Sequence, residues 1–162
     1  MSAEYDLTII GGGPVGMFAA FYAGMHNARV QLLESLPELG GQVQALYPEK
    51  IIHDVAGYPA IKGRELVAQL EKQLTQFPID IQLASPVTDV TGAMGDFTIT
   101  TASGQQSHSK AIIVATGSGA FEPRRLAVDN AAEFENKQLF YHIPSVKQFA
   151  DRTVLCLLYT SD

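Results

Sequence analysis

The sequence contains a single cysteine, Cys156, among its 162 residues. One thiol excludes an intramolecular disulfide, a Cys-x-x-Cys redox pair and a cysteine-rich zinc site within this chain. A lack of disulfides is typical of proteins from reducing compartments, so the sequence favours a cytoplasmic protein.

Basic residues are also scarce. The sequence has 11 lysines and arginines but 17 aspartates and glutamates, so its formal charge is −6. Such a chain has no broad positive field, so we predict that neither nucleic acid nor an anionic membrane is its partner. Hydrophobic residues, in contrast, make up 46% of the sequence. This composition excludes a disordered chain, and the length fits one domain but not two complete ones.

An uncharged run over residues 7–25 has the length of a transmembrane helix. The sequence GGGP at residues 11–14 interrupts this run. Glu4 and Asp6 precede it, where a signal peptide would carry positive charge. We therefore interpret the run as a buried strand, a turn and a helix.

Hydrophobic patterns predict an α/β, Rossmann-like fold with a parallel sheet, crossover helices and an antiparallel β-meander. Residues 5–10, 14–26 and 29–34 are predicted to form a strand, a helix and a parallel strand, which together have the size of such a crossover unit. A long loop over residues 35–63 leads to a helix over 64–77. Three meander strands are predicted at residues 87–91, 96–102 and 106–110. An apolar run follows at 111–115, then a region of loop and short helix at 116–149, and a buried strand at 153–155.

A glycine fingerprint, Gly11-x-Gly13-x-x-Gly16, stands between the first predicted strand and its helix. Gly11 allows the tight turn, Gly13 lets the backbone approach a pyrophosphate, and Gly16 lets the helix pack against the strand. Glu34 ends the second strand, near the spacing of about 20 residues expected for the acid that binds ribose hydroxyls. An acid at this position favours FAD or NAD over NADP. The alternative is a glycine-rich turn without a ligand.

Further motifs carry a resemblance to a known family. The predicted meander precedes ATG at residues 115–117, an arrangement that a plain NAD-binding unit lacks. DxxIIGGGPxG at residues 6–16, with LE at 33–34, resembles the flavin domain of the two-dinucleotide-domain flavoprotein reductases. LGGQ at 39–42, ALYPEK at 45–50, DVAGYP at 54–59 and GAFxPR at 119–124 are similar to the thioredoxin-reductase-like ferredoxin (flavodoxin)–NADP reductases of bacteria. The similarity extends over residues 5–154.

This resemblance implies an FAD-binding domain and a set of cofactor-binding residues. Glu34 would bind the adenosine ribose, Gln42 would lie along the flavin end of the cofactor, and Tyr47 would stack on the isoalloxazine ring. Val87 would contact the adenine region and Phe121 would flank the flavin; alternatively both are core residues, and Tyr47 is a half-buried loop aromatic. The complete predicted set is Gly11, Gly13, Gly16, Glu34, Gly41, Gln42, Tyr47, Val87 and Phe121.

The resemblance also implies an activity. In such reductases an NADPH domain delivers hydride to the flavin, and electrons then pass singly to ferredoxin or flavodoxin. We therefore expect the FAD-binding part of a flavoprotein oxidoreductase, with NADPH bound by a further domain and a homodimer in the full-length protein. The alternatives are the FAD domain of a thioredoxin reductase, a non-catalytic FAD-binding fragment, and an unstable fragment without function. No catalytic residue and no metal ligand is predicted, because the 4 histidines lack ligand spacing.

The predicted domain boundary falls at residue 152. Residues 1–152 are expected to form an incomplete FAD-binding domain, because relatives add a later segment to the flavin site. Residues 153–162 are expected to begin the NADPH domain or to form an artefactual tail. The last seven residues contain no glycine and resemble the translation of an adaptor used in sequencing libraries rather than the family. We expect the 162-residue chain alone to lack NADPH-dependent turnover.

Overall fold

The computed structural model describes residues 4–119, 125–141, 143 and 145–156. The regular structure of this part of the chain consists of two β-sheets, four α-helices and one 3-10 helix. In chain order the elements are β1 (Glu4–Ile10), α1 (Pro14–Met25), β2 (Val30–Leu33), α2 (Gly41–Leu46), β3 (Ile51–Ile52), β4 (Ile61–Lys62), α3 (Gly63–Leu74), β5 (Asp80–Gln82), β6 (Val87–Ala93), β7 (Asp96–Thr101), β8 (Gln106–Val114) and α4 (Ala131–Phe134), followed by a 3-10 helix (Val146–Phe149).

The larger sheet has six strands in the order β5-β2-β1-β8-β7-β6. Strand β1 pairs in parallel with β2 on one side and with β8 on the other, and β2 pairs in parallel with β5. Strands β8, β7 and β6 pair antiparallel. The predicted α/β fold, with its parallel crossover unit and its antiparallel meander, is confirmed.

The core lies between the parallel strands and helices α1 and α3. Ile9 of β1, Leu32 of β2 and Leu74 of α3 are fully buried there. Gly24 of α1 allows the segment that follows α3 to pack closely against α1, because a Cβ atom at this position would lie 2.7 Å from the Cβ of Phe77. The lack of a side chain at Gly24 therefore makes room for the Phe77 ring beside α1.

Three parts of the fold differ from the prediction. The region 35–63, predicted as loop, contains α2 and the small antiparallel pair of β3 and β4, and β5 was not predicted. Residues 106–110 and 111–115 were predicted as two elements, but residues 106–114 form one strand, β8. The first half of β8 is polar and pairs with β7 over residues 106–109, whereas β1 pairs with residues 108–114, which include the apolar second half. The sequence pattern therefore changes near the point at which β7 ends and β1 remains as the only pairing strand among the described residues.

The buried strand predicted over residues 153–155 is wrong. Residues 151–156 are exposed and form no strand, and Leu155 is 84% exposed. Within the described ranges no neighbouring strand pairs with this segment, so its apolar side chains lack the cover that a buried strand requires. The same described ranges hold no helix with the length and apolar character needed to span a membrane.

Tyr5, at the amino end of β1, should make stability depend on pH. Burial and a hydrogen bond donated to the Asp80 carboxylate raise the pKa of Tyr5 from an ordinary value of 10.0 to about 12. The unfolded chain therefore loses this proton first, so the stabilisation is complete below pH 10 and is lost as the pH rises towards 12. We expect the free energy of unfolding, measured with urea, to fall more steeply over this interval in the wild type than in Tyr5→Phe.

The control for this experiment is Tyr22→Phe, at an exposed tyrosine of α1. This variant should keep the steep wild-type fall, because it leaves Tyr5 and Asp80 in place. Equal slopes for Tyr5→Phe and the wild type would contradict the assignment.

Candidate cofactor site

The carboxyl ends of β1, β2 and β8 open onto a cavity of about 410 Å³. Strand β1 is the point at which the order of the parallel strands reverses, since α1 leads to β2 on one side and β8 lies on the other. Open α/β sheets bind ligands at the carboxyl end of such a switch point. The position of the cavity therefore agrees with the place that the glycine fingerprint predicts.

Glycines shape the turn between β1 and α1. Gly11 has a φ of +110°, and a Cβ atom there would lie 2.5 Å from the carbonyl oxygen of Ala115. A Cβ atom at Gly16 would overlap the carbonyl oxygen of Gly11. Gly13 is different, because a Cβ atom there would meet only the Cα of Gly41, at 3.9 Å. Two of the glycines thus close the turn, and the third leaves open space beside the cavity.

The start of α1 carries no capping group of its own. Gly13 is the N-cap, no side chain caps the helix, and the first turn contains no acidic residue. The first intrahelical hydrogen bond runs from the Met17 N–H to the Gly13 carbonyl, at 2.9 Å. The N–H groups of Val15 and Gly16 precede this bond and have no intrahelical acceptor. Such a helix start favours an anionic ligand.

Glu34 follows β2 directly and is only 5% exposed. One carboxylate oxygen, Oε2, accepts the Gly12 N–H at 2.6 Å. The other, Oε1, accepts the Leu36 N–H at 2.8 Å and the Ser35 hydroxyl at 3.0 Å. Three donors thus hold the buried carboxylate in one orientation at the wall of the cavity.

Gly12 and Ser35 are site residues that the sequence analysis missed. Gly12 occupies a variable position of the fingerprint, so the motif gave it no role. A Cβ atom there would lie 3.0 Å from Oε2 of Glu34 and 2.6 Å from Cδ2 of Leu39, so glycine allows the carboxylate to reach the backbone N–H. The run of three glycines was a signal for Gly12, whereas nothing in the sequence pattern singled out Ser35.

The loop that begins α2 lies against the glycine turn. The Gly40 N–H donates to the Gly12 carbonyl at 2.9 Å, and a Cβ atom at Gly41 would lie 3.0 Å from the Cα of Gly13. This close approach brings the following residues to the cavity. The Gln42 side-chain amide donates a hydrogen bond to the hydroxyl of Ser118, a residue in the segment after β8.

The structure brings seven of the nine predicted cofactor-binding residues together in the cavity wall. Tyr47 is half-buried at the carboxyl end of α2, with Lys50 Nζ 5.7 Å from its ring centroid. Gly16 lies behind the turn, and Phe121 lies outside the described residues. The residues that line the cavity are Gly11, Gly13, Glu34, Gly41, Gln42, Tyr47 and Val87.

Comparisons with known proteins agree with this geometry. Residues 5–153 match the model of the pyridine nucleotide-disulphide oxidoreductase family. The ferredoxin–NADP reductase of Lactiplantibacillus plantarum is 99% identical over 155 residues, which are 96% of this chain and 47% of that protein. The corresponding reductase of Levilactobacillus brevis is 59% identical and is covered to 46%. The chain therefore spans about half the length of the curated relatives it matches.

Solved structures show the same fold. The thioredoxin reductase of Streptococcus pyogenes superposes with a TM-score of 0.64 at 29% identity, over 79% of this chain and 39% of that one. The thioredoxin reductase of Lactococcus lactis gives a TM-score of 0.63 at 28% identity, over 80% of this chain and 40% of that one. Because the family match covers nearly all of its length, the chain belongs to the pyridine nucleotide-disulphide oxidoreductase family.

Proposed function

We propose that this chain is the FAD-binding part of a flavoprotein oxidoreductase that passes electrons from NADPH through FAD to ferredoxin or flavodoxin. One observation supports it above all: the uncapped start of α1 and the buried Glu34 carboxylate face the same cavity. A pyrophosphate needs N–H donors, and a ribose needs an acceptor for its two hydroxyls. The relatives named ferredoxin–NADP reductase supply the expected electron acceptor.

The residues present fit FAD. Gly13 leaves open space where a pyrophosphate would approach the N–H groups at the start of α1, and Glu34 would accept hydrogen bonds from the adenosine ribose. Val87, half-buried at the start of β6, would contact the adenine region. When bound, FAD accepts hydride and releases single electrons.

The protein residues at the flavin end orient and shield the ring. The hydrogen bond from Gln42 to Ser118 would hold the Gln42 amide along the flavin, and the Tyr47 ring would stack on it. Phe121 is proposed to flank the flavin on the strength of the family resemblance alone. Because the redox chemistry is that of the cofactor, the described side chains contribute position and electrostatics rather than an acid or base.

The exposed half of β8 supports an incomplete domain. Residues 111–114 pair with β1 on one edge, and among the described residues no strand pairs with their other edge. Ile113 and Val114 are 37% and 71% exposed, although strands of parallel sheets are usually covered on both faces. We propose that this surface is covered by the part of the full-length protein that the chain does not span. The same full-length protein would bind NADPH, form a homodimer and reside in the cytoplasm.

Visible spectroscopy and a turnover assay test the proposal together. We expect residues 1–162, purified and mixed with FAD, to show protein-bound flavin bands but no NADPH-dependent reduction of ferredoxin. The full-length relative from Lactiplantibacillus plantarum, assayed in parallel, should show both. Robust ferredoxin reduction by the 162-residue chain alone would contradict a separate NADPH-binding part. FAD binding by the full-length relative but not by the chain would mean that the missing part is needed to complete the site, whereas absence of FAD binding in both would contradict the proposed site.

The second candidate is the FAD domain of a thioredoxin reductase, which the solved structures of that name favour. Dithiol-dependent turnover by the full-length relative, without ferredoxin reduction, would establish this alternative. A third outcome, stoichiometric flavin in a full-length protein that reduces neither acceptor, would indicate a non-catalytic flavin-binding protein.

A further inference from the structure

We propose that Ser35 is a displaceable hydrogen-bond donor that weakens the site's selection for a ribose with two free hydroxyls. This proposal rests on the proposed function, because it assumes that Glu34 binds the adenosine ribose of FAD. It begins from the three donors on the Glu34 carboxylate, of which two are backbone N–H groups and one is the Ser35 hydroxyl.

The number of acceptor positions on the carboxylate is the first step. A carboxylate offers about four lone-pair positions, two on each oxygen. Oε1 already accepts two hydrogen bonds, from Leu36 and Ser35, whereas Oε2 accepts one, from Gly12. Only one position therefore remains open, although a ribose presents two vicinal hydroxyl donors.

The second step is the difference between the three donors. The donors of Gly12 and Leu36 are backbone N–H groups. The backbone of Glu34 is itself fixed, because its N–H donates to the Gln82 carbonyl at 2.9 Å and its carbonyl accepts the Ser85 N–H at 2.8 Å. These two donors cannot leave without a movement of the turn. The Ser35 hydroxyl can rotate about χ1, and Ser35 is half-buried in the wall of the same cavity.

Together these steps assign Ser35 a role in selectivity. Without a ligand its hydroxyl keeps Oε1 of the buried carboxylate fully hydrogen-bonded. When a vicinal diol enters, one hydroxyl takes the open position on Oε2, and the second takes the position on Oε1 that Ser35 leaves. When the ribose lacks its 2′-hydroxyl, Ser35 keeps its hydrogen bond to Oε1. The serine therefore reduces the loss of affinity that a 2′-deoxyribose ligand suffers relative to FAD.

Removal of the hydroxyl should therefore sharpen the selection. In Ser35→Ala, FAD still supplies both donors, but an FAD analogue with 2′-deoxyadenosine leaves Oε1 one donor short in a buried site. We expect the ratio of the dissociation constants, analogue over FAD, to rise roughly 10- to 100-fold over wild type, the usual scale for one hydrogen bond to a charged group. Titration of each flavin with the 162-residue chain, followed by flavin fluorescence, measures both dissociation constants without any turnover.

Two further variants serve as controls. Ser35→Thr keeps a hydroxyl at the same position and should keep the wild-type ratio. Ser85→Ala removes a serine that lines the same cavity but donates to the Leu83 carbonyl at 2.9 Å, so it should also keep that ratio. A serine that merely orders the loop would weaken both ligands equally in Ser35→Ala and leave the ratio unchanged, which overturns the proposal while FAD binding stands. If the chain binds neither flavin, the ratio is measured in the full-length relative; the proposed function, and with it the role of Ser35, fails if that protein also binds no FAD.

Discussion

Replacement of Glu34 by glutamine is expected to weaken FAD binding by roughly 10²- to 10³-fold, because hydrogen bonds to a charged group contribute about 1.5–3 kcal/mol each. The carboxamide keeps the shape of the side chain but loses one acceptor and the negative charge. Its NH₂ group would also face an N–H donor, either that of Gly12 or that of Leu36, in a nearly water-free environment. Titration with FAD, followed by flavin fluorescence, measures the change in dissociation constant.

The matched control for Glu34→Gln is Glu38→Gln, on the same loop. Glu38 is exposed, and its carboxylate accepts a long hydrogen bond of 3.3 Å from the Gln44 side-chain amide. This variant should bind FAD as the wild type does. Wild-type affinity in Glu34→Gln would exclude the carboxylate as the ribose acceptor and would move the adenosine elsewhere in the cavity.

Replacement of Gly16 by alanine is expected to give the largest loss of stability. The new methyl group would overlap the carbonyl oxygen of Gly11, which is part of the backbone and cannot rotate away. Helix α1 would have to move off β1, and overpacking of this kind costs about 3 kcal/mol or more in the free energy of unfolding. For a chain of this size, the melting temperature should fall by roughly 10 °C.

Gly13→Ala separates the fold from the cofactor site. Gly13 has ordinary extended dihedral angles, and its Cβ position is open apart from Gly41 at 3.9 Å. The free energy of unfolding should therefore change by no more than about 1 kcal/mol. FAD binding should nevertheless weaken, because the methyl group stands beside the cavity where the pyrophosphate is proposed to approach. If thermal unfolding shows Gly13→Ala to be as destabilised as Gly16→Ala, the assignment of the two glycines is wrong.

Much of the candidate site could be predicted from short stretches of sequence. The fingerprint glycines, the crossover unit and the acid after β2 all depend on spacing within about 30 residues, where local chemistry dictates the backbone. Gly11 illustrates this, because its φ of +110° is the tight turn that the motif predicts. The placement of Gln42, Tyr47 and Val87 was predicted from family resemblance, and the structure brings all three to the cavity.

Local sequence patterns were sufficient to predict the α/β class, the strand that precedes Glu34 and the position of the glycine turn, because each follows from local periodicity or from the steric freedom of glycine. The contact between the Gly12 N–H and the Glu34 carboxylate, 22 residues further along the chain, depends instead on tertiary packing, as does the pairing of the single strand 106–114 with both β7 and β1. Tertiary packing also decided that residues 153–155 lie exposed. These features depend on which distant segments pack together, and no local pattern encodes a contact between residues that meet only when the sheet forms.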